Sequence, residues 1–472
     1  MNGWDLFYTI LYYINYGAIC LCTVGFAFQF VYVLFCWLPI KHFKKSETLH
    51  KIAIIIPARN EEAVIPSTVR DLLENQTYPK AYYDIYVCAD NCTDDTAKKA
   101  AEAGAQVFIH DDPNPKHHVA AYPVKFMTDK IMKEHPGYDF FVRFDADNHA
   151  NPEFLEKMND AYSSGVTIAR AFEASVNGTE NVWSKVSACY YIRDSRLPSN
   201  YREKTHQDCM LSGAGMMMAV SVLQECGGWD AMSAIEDSEF TLNRLVKNKR
   251  IHQVADAIVY EEQPSNAKDT FNRVSRMGHG LNEVFWKKGW KLFGHTFVSG
   301  KISNLDLFMQ IFFVPIGVIA STWFPIYYIT YGILMLCQMN GMPIFSEAFL
   351  SAQRVHGISF TTIGESIDFI TDSFHIYQAG NYASYAETLF VGLLVMGATT
   401  ILGLVLIYIF QTWIALLLSK KHLGLKNLKG YWAGILLSPL FMLFYAVAID
   451  YGVFTNPTWK KVTRQSEHHS QK

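Results

Sequence analysis

Charge is scarce in this chain of 472 residues: Asp, Glu, Lys and Arg make up 18% of it, against 50% hydrophobic residues. What charge there is nearly cancels, with 41 Lys and Arg against 44 Asp and Glu, so no global field attracts a polyanion and nucleic acid is not an expected partner. Cysteine is sparse too. The nine are scattered, three of them (Cys20, Cys22 and Cys36) in the first apolar run, and no C-x-x-C pair occurs. That excludes a zinc-ribbon pattern and predicts reduced, buried thiols. Internal repeats and low-complexity tracts are absent as well.

The charges that exist are concentrated between residues 41 and 306, which marks a soluble body, while both flanks are apolar. Residues 6–40 carry no charge, more than the ~20 apolar residues that cross a ~30 Å hydrocarbon layer. The run ends on Lys41, His42, Lys44 and Lys45, which places the body on the cytoplasmic side. It is too long for a cleaved signal peptide and has no basic residue ahead of it. Three more uncharged runs, 307–346, 388–419 and 430–449, can each span at least once. The first can break at Pro325 into two spans. The last has lysines on both sides and can cross or re-enter around Pro439.

These signals divide the chain into a membrane segment (1–40), a cytoplasmic domain (48–266), an interfacial amphipathic region (267–300) and one or two spans (303–346). An extracytoplasmic loop (347–387), a span (388–419), a spanning or re-entrant segment (430–453) and a basic tail (454–472) follow. The loop is assigned outside because it holds five acidic residues and one arginine. The expected location is the cell membrane, multi-pass.

Within the body, the apolar strand IAIII leads into PARNEEA and a helix-like VIPSTVRDLLEN; YDIYVCAD leads through a turn into TDDTAKKAAEAG; YDFFVRF leads into DADNH. Strand and helix alternate, which implies an α/β fold with a parallel, doubly wound sheet. Ligands in such sheets bind beyond the carboxyl ends of the strands, where all three polar motifs fall. Further on, Phe271, Val274, Met277, Leu281, Val284, Phe285 and Trp290 recur at helical steps among Arg273, Arg276, Lys287 and Lys288. That pattern predicts a helix lying on the membrane surface, although an ordinary surface helix of the body shows the same stripe.

Four acidic elements carry the chemistry. Asp145 and Asp147, two residues apart at a strand end, can share one hard divalent ion, and such an ion neutralises a diphosphate. Asp90, with Asn91 and Thr93, and Glu61 in PARNEE are placed to reach a nucleotide, though singly each also reads as a cap or turn residue. Glu236 and Asp237 open the helix SEFTLNRLVKN, where acids also simply complement the helix dipole. His117, His118 and His149 lack a ligand-helix pattern for a transition metal. Met216, Met217 and Met218 read as a buried strand.

In order and spacing, IAIIIPARNEE, VCADNCTDDTA, FVRFDADNH, LSGAGMMMA with GGWD, AIEDSEF and YEEQP resemble the family 2 glycosyltransferases. The resemblance is to the membrane-bound branch that includes cellulose, hyaluronan and poly-N-acetylglucosamine synthases, over about residues 51–290. It implies a GT-A-like nucleotide-sugar-binding domain, a nucleotide-sugar donor (UDP-linked), Mg2+ or Mn2+, and a glycan or lipid-linked acceptor among membrane lipids. By the same resemblance Glu61 and Asp90 hold the nucleoside, Asp145 and Asp147 the diphosphate and its ion, and Arg276 faces the diphosphate. Asp237 is the implied base in an inverting displacement, with Glu236, Gly213 and Met277 on the acceptor side.

Two departures bear on the acceptor. Processive synthases carry Gln-x-x-Arg-Trp where this chain reads Arg273-Val-Ser-Arg276-Met277, and a thioether stacks on a sugar less well than a tryptophan. PKHHVAA replaces a Lys/Gly-rich stretch, so Lys116 or His118 either touches the diphosphate or belongs to a solvated loop. The tail TWKKVTR resembles the Trp-x-x-Thr-x-Arg of some relatives. Three functions are therefore weighed: extension of a β-linked polysaccharide, a single transfer to a lipid or lipid-linked acceptor, and an inactive scaffold or transporter subunit. The last predicts damaged acidic motifs, and every expected carboxylate is in place.

Overall fold

The computed structural model describes residues 2–339, 342, 344–346 and 385–455. Most of the expected outer loop 347–387 and the tail from 456 onwards, TWKKVTR included, lie outside the described residues. The chain divides into two units, residues 1–26 with 315–408 and residues 27–314 with 409–472.

After helix α1 (Gly3–Leu34) come β1 (Ile52–Ala58), α2 (Ile65–Glu74), β2 (Tyr83–Asp90), α3 (Thr96–Glu102), β3 (Gln106–His110), α4 (Ala121–Glu134), β4 (Phe140–Arg143), β5 (Asn148–Ala150), α5 (Phe154–Ser163) and β6 (Ile168–Ser175). Helix α6 (Val182–Asp194) passes through a π-helical turn (Ser195–Ser199) into α7 (Asn200–Lys204). Then follow β7 (Met216–Ala219), α8 (Val220–Cys226), α9 (Glu236–Leu245), β8 (His252–Glu261) and α10 (Ala267–Val284). A second π-helical turn (Phe285–Gly289) leads to α11 (Trp290–Ser299), α12 (Ile302–Met339), α13 (Tyr385–Ser419) and α14 (Trp432–Phe454).

The strands form one sheet in the order β3-β2-β1-β4-β7-β6-β8-β5. The half expected from the strand-helix alternation, β3-β2-β1-β4, is parallel throughout. The other half is mixed: β7 runs antiparallel to both β4 and β6, β6 pairs parallel with β8, and β5 pairs antiparallel with β8. The methionine run is the buried strand β7, whose reversal turns the sheet from parallel to mixed. Alternate residues of a strand face opposite sides, so Ala53 and Ile55 enter one core while Ile52, Ile54 and Ile56 enter the other. A strand covered on both faces reads as an unbroken apolar run, which is why IAIII contains no polar residue.

Among the described residues, four helices are long and apolar enough to cross a bilayer, over Gly3–Gly25, Ile302–Gln338, Ile401–Ser419 and Lys429–Phe454. Pro315 and Pro325 both lie inside α12, and Pro439 lies inside α14, so neither segment breaks at its proline. In the first unit, the buried Asp5 accepts from the backbone and hydroxyl of Ser346, and the Tyr8 and Tyr327 hydroxyls meet at 3.1 Å. In the second, the buried Asp306 at the start of α12 accepts from Arg202 of α7 at 2.7 Å, and Tyr32 of α1 bonds both residues.

The apolar stripe of α10 is covered by protein. Val274 packs with Val186, Phe441, Tyr445 and Ile449 of α6 and α14. The seam is close: a Cβ on Gly278 would sit 2.6 Å from the Ile449 carbonyl oxygen, and one on Gly452 would sit 1.9 Å from that of Ser275. All nine cysteines are unpaired, but not all are buried as expected, since Cys20 is exposed on α1.

Candidate active site

The site is built where β1, β2 and β4 end. Asp90, the last residue of β2, is 3% exposed, and its Oδ1 accepts from Asn91 and lies 2.7 Å from His110 Nδ1 at the end of β3. Parallel register puts Asp90 opposite His110, so the pair follows from the sheet itself. The loop after β1 is strapped to the turn after β2: Thr93 N donates to Asn60 Oδ1 at 2.8 Å, and Glu61 N donates to Thr96 Oγ1 at 2.9 Å. Asn60 and Asn91 hold positive φ (56° and 47°), a conformation asparagine tolerates better than most residues and one that recurs at functional turns.

Arg143, the last residue of β4, organises the remaining acids. It is 3% exposed, its Nη1 lies 2.5 Å from Glu236 Oε1 and its Nη2 lies 3.3 Å from Asp145 Oδ1. Glu236 and Asp237 open α9. Asp237 Oδ1 accepts from Ser238 N at 2.6 Å and Oδ2 from Gly213 N at 3.0 Å, so both oxygens are aimed by backbone donors. Gly213 lies against the Arg143 guanidinium, where a Cβ would come within 3.1–3.2 Å of its atoms, a close fit that a larger residue could meet only by shifting Arg143. Burial pushes both the Glu236 and Asp237 carboxyls above their ordinary range, and Arg143 is the largest influence pulling them back.

Asp147 is buried and Asp145 partly exposed, two residues apart at the β4 end. Among the described residues no group of three or more His, Cys, Asp or Glu side chains could hold a metal by itself. Two carboxylates still fit Mg2+ or Mn2+, hard ions that take one or two protein carboxylates and complete their shell with substrate phosphates and water. The histidines are otherwise engaged. His149 lies 3.3 Å from Asp71, and His118 places its ring nitrogens on Arg59 (3.1 Å) and the Asp112 carbonyl (3.0 Å). His118 thus ties its own loop to the one after β1, and Lys116 is exposed on a short turn.

On α10, Arg273 and Met277 are held by partners outside this cluster. Arg273 pairs with Glu261 at the end of β8 (2.6 Å) and lies over the Tyr191 ring. Arg276, one turn on, has no hydrogen bond or ion pair among the described residues, and burial followed by the neighbouring Arg273 lowers its guanidinium to about 10. Met277 packs in the seam with α14, its sulfur 3.9 Å from the Tyr445 hydroxyl.

The structure thus joins Asp145, Gly213, Glu236 and Asp237 through one residue that sequence reasoning did not single out. The signal for Arg143 was present: a lone cation in the apolar strand FFVRF, two residues before the first aspartate. Glu173 of β6 was also missed. It is 4% exposed, lies 3.3 Å from Arg170, and burial pushes its carboxyl up to about 7 against the pull of Arg170.

Residues 50–280 match the family model described as "Glycosyltransferase like family 2". The probable glycosyltransferase YdaM of Bacillus subtilis is 25% identical over 256 residues, covering 52% of this chain and 58% of that one. The probable glucomannan 4-beta-mannosyltransferase 3 of Oryza sativa is 23% identical over 340 residues (65% and 57%). The beta-monoglucosyldiacylglycerol synthase of a Nostoc species is 24% identical over 243 residues (51% and 51%). The chain therefore spans between half and three-fifths of the length of these relatives. Among solved structures, the mannosyltransferase of Pyrobaculum calidifontis in complex with GDP-mannose and Mn2+ is 13% identical, with a TM-score of 0.47 over 87% of this chain and 99% of that one. Residues 50–280 are a glycosyltransferase family 2 domain, built on a mixed α/β sheet.

Proposed function

We propose that this protein is a membrane-embedded, inverting glycosyltransferase that moves a sugar from a nucleotide-sugar donor, UDP-linked in the first instance, to a hydroxyl acceptor at the membrane surface. The observation that carries the proposal is the Asp237 carboxylate, fixed by two backbone N–H groups beside the Arg143–Glu236–Asp145 network and at the mouth of the sheet. A carboxylate oriented in this way and raised by burial is suited to take a proton from an acceptor hydroxyl. The deprotonated oxygen then attacks the anomeric carbon from the side opposite the leaving group. As that bond forms, the bond from the anomeric carbon to the diphosphate breaks, and its electron pair leaves with the diphosphate. A single displacement inverts the centre, so an α-linked donor gives a β-linked product.

Asp90 and Glu61 hold the nucleoside. Asp145 and Asp147 would hold Mg2+ or Mn2+, which supplies positive charge to the diphosphate when bound. Arg276 brings a second positive charge that no carboxylate neutralises among the described residues. The domain lies on the cytoplasmic side of a multi-pass protein, supported by the basic cluster of Lys41, Lys44 and Lys45 just past α1.

The first acceptor is a growing β-linked polysaccharide. A lipid or lipid-linked acceptor receiving one sugar is the second, favoured by Met277, which stands where a stacking tryptophan would be and whose side chain is occupied in the α10–α14 seam. Incubating the purified chain with labelled donor in lipid nanodiscs separates them. A ladder of lengthening products supports the first, a single glycosylated lipid supports the second, and a retained α configuration in either product refutes the displacement.

A further inference from the structure

The π-helical turn Phe285–Gly289 and α11 set an apolar face beside a cationic one. Trp286, Trp290, Phe297 and Val298 are 60, 49, 75 and 83% exposed, and Leu292 is the one buried residue of α11. Lys287 and Lys291 are exposed among them. Three residues past α11 begins α12, long and apolar enough to cross a bilayer. Water is a poor solvent for such a face, whereas tryptophans and lysines that flank a span favour the headgroup layer, ring in the interface and ammonium on the phosphates.

Beneath this face, a cavity of about 100 Å³ separates the turn from the loop that leads into Glu236 and Asp237. It is lined by Met232, Ser233, Glu239, Glu283, Lys287 and Lys288, together with Val284. That is room for several waters or one tetrahedral oxyanion. Ser233 is 8% exposed and its hydroxyl has no hydrogen-bond partner among the described residues. Glu239 spends Oε2 on the N–H groups of Met232 and Ser233 (2.8 and 2.7 Å), so it caps the loop. Lys288 reaches the other oxygen only at 3.6 Å, and Lys287 pairs with Glu283 at the surface, where such pairs exchange at little cost.

We propose that this turn is a binding site for the phosphate headgroup of an anionic phospholipid. Lys287 and Lys288 meet the phosphate, the Ser233 hydroxyl donates to it, and Trp286 and Trp290 lie at headgroup level. Occupancy draws Lys288 away from Glu239, the residue that caps the loop before Asp237, and so links membrane composition to the catalytic loop. The site rests on the membrane location proposed above and not on the sugar chemistry.

Native mass spectrometry of the full chain in detergent, titrated with phosphatidylglycerol, phosphatidylcholine or inorganic phosphate, tests it without any turnover. Wild type is expected to retain phosphatidylglycerol at least tenfold more tightly than phosphatidylcholine. The double variant Lys287→Gln/Lys288→Gln is expected to lose at least tenfold of that affinity at an unchanged melting temperature. Ser233→Ala, a milder change, is expected to lose about threefold. Equal retention of the two lipids, or unchanged retention by both variants, overturns the site. Displacement of the lipid by millimolar inorganic phosphate overturns the lipid as its source. Loss of donor turnover in wild type would bear on the transferase reading alone.

Discussion

Replacing Arg143 by methionine removes a cation that Glu236 and Asp145 share, while keeping most of the side-chain volume in β4. Breaking a buried pair from one side costs about 3–5 kcal/mol, because the partner charge stays buried. At roughly 2–4 °C per kcal/mol for a domain of this size, the melting temperature of the detergent-solubilised protein should fall by roughly 6–20 °C. A second effect separates this from generic damage. Arg143 is the main influence opposing burial at both Glu236 and Asp237, so without it both carboxyls rise further. The acid limb of nucleoside diphosphate release against pH should then move to higher pH. Adding Glu236→Gln should recover most of the stability, since removing both partners of a buried pair is close to neutral. An Arg143→Met protein that melts like wild type with an unmoved acid limb would refute the assigned role, as would a double variant no more stable than the single one.

The Glu173→Gln variant should lose less stability than wild type between pH 5 and pH 8. The folded carboxyl sits near 7 against an ordinary 4.5, so wild-type stability falls as pH rises between those values, by up to about 3 kcal/mol, and the variant escapes that loss. Thermal melts at both pH values read it out. Arg276→Gln should leave melting unchanged or raise it, because its half-buried charge has no partner among the described residues, while raising the donor KM by about 10- to 100-fold through loss of a charged hydrogen bond of about 1.5–3 kcal/mol. Gly452→Ala should lower stability by about 1–3 kcal/mol in a denaturation scan, since its Cβ would fall 1.9 Å from the Ser275 carbonyl oxygen and force α10 from α14.

The strand ends were legible in the sequence for a physical reason. A strand buried on both faces must be a continuous apolar run, and the polar residues at its carboxyl end are the first that are free to do chemistry, which located Glu61, Asp90 and Asp145 at once. The mixed half of the sheet was not legible, because MMMA carries no mark of its direction, and nothing local distinguishes a strand antiparallel to β4 from a parallel one. The stripe on α10 was read correctly as apolar, but periodicity does not say whether lipid or another helix covers it; here α6 and α14 do. Arg143 was hidden because a cation in a strand is informative only once its partners, 93 residues further along at Glu236 and two at Asp145, are seen to converge on it.

The central claim is tested most directly by nucleoside diphosphate release from the purified full chain across a panel of nucleotide sugars, with Mg2+ or Mn2+ and with Asp237→Asn alongside. One donor turned over by wild type, with turnover reduced about 10²- to 10⁴-fold in the variant, is the predicted result. Equal turnover by wild type and Asp237→Asn would contradict the account.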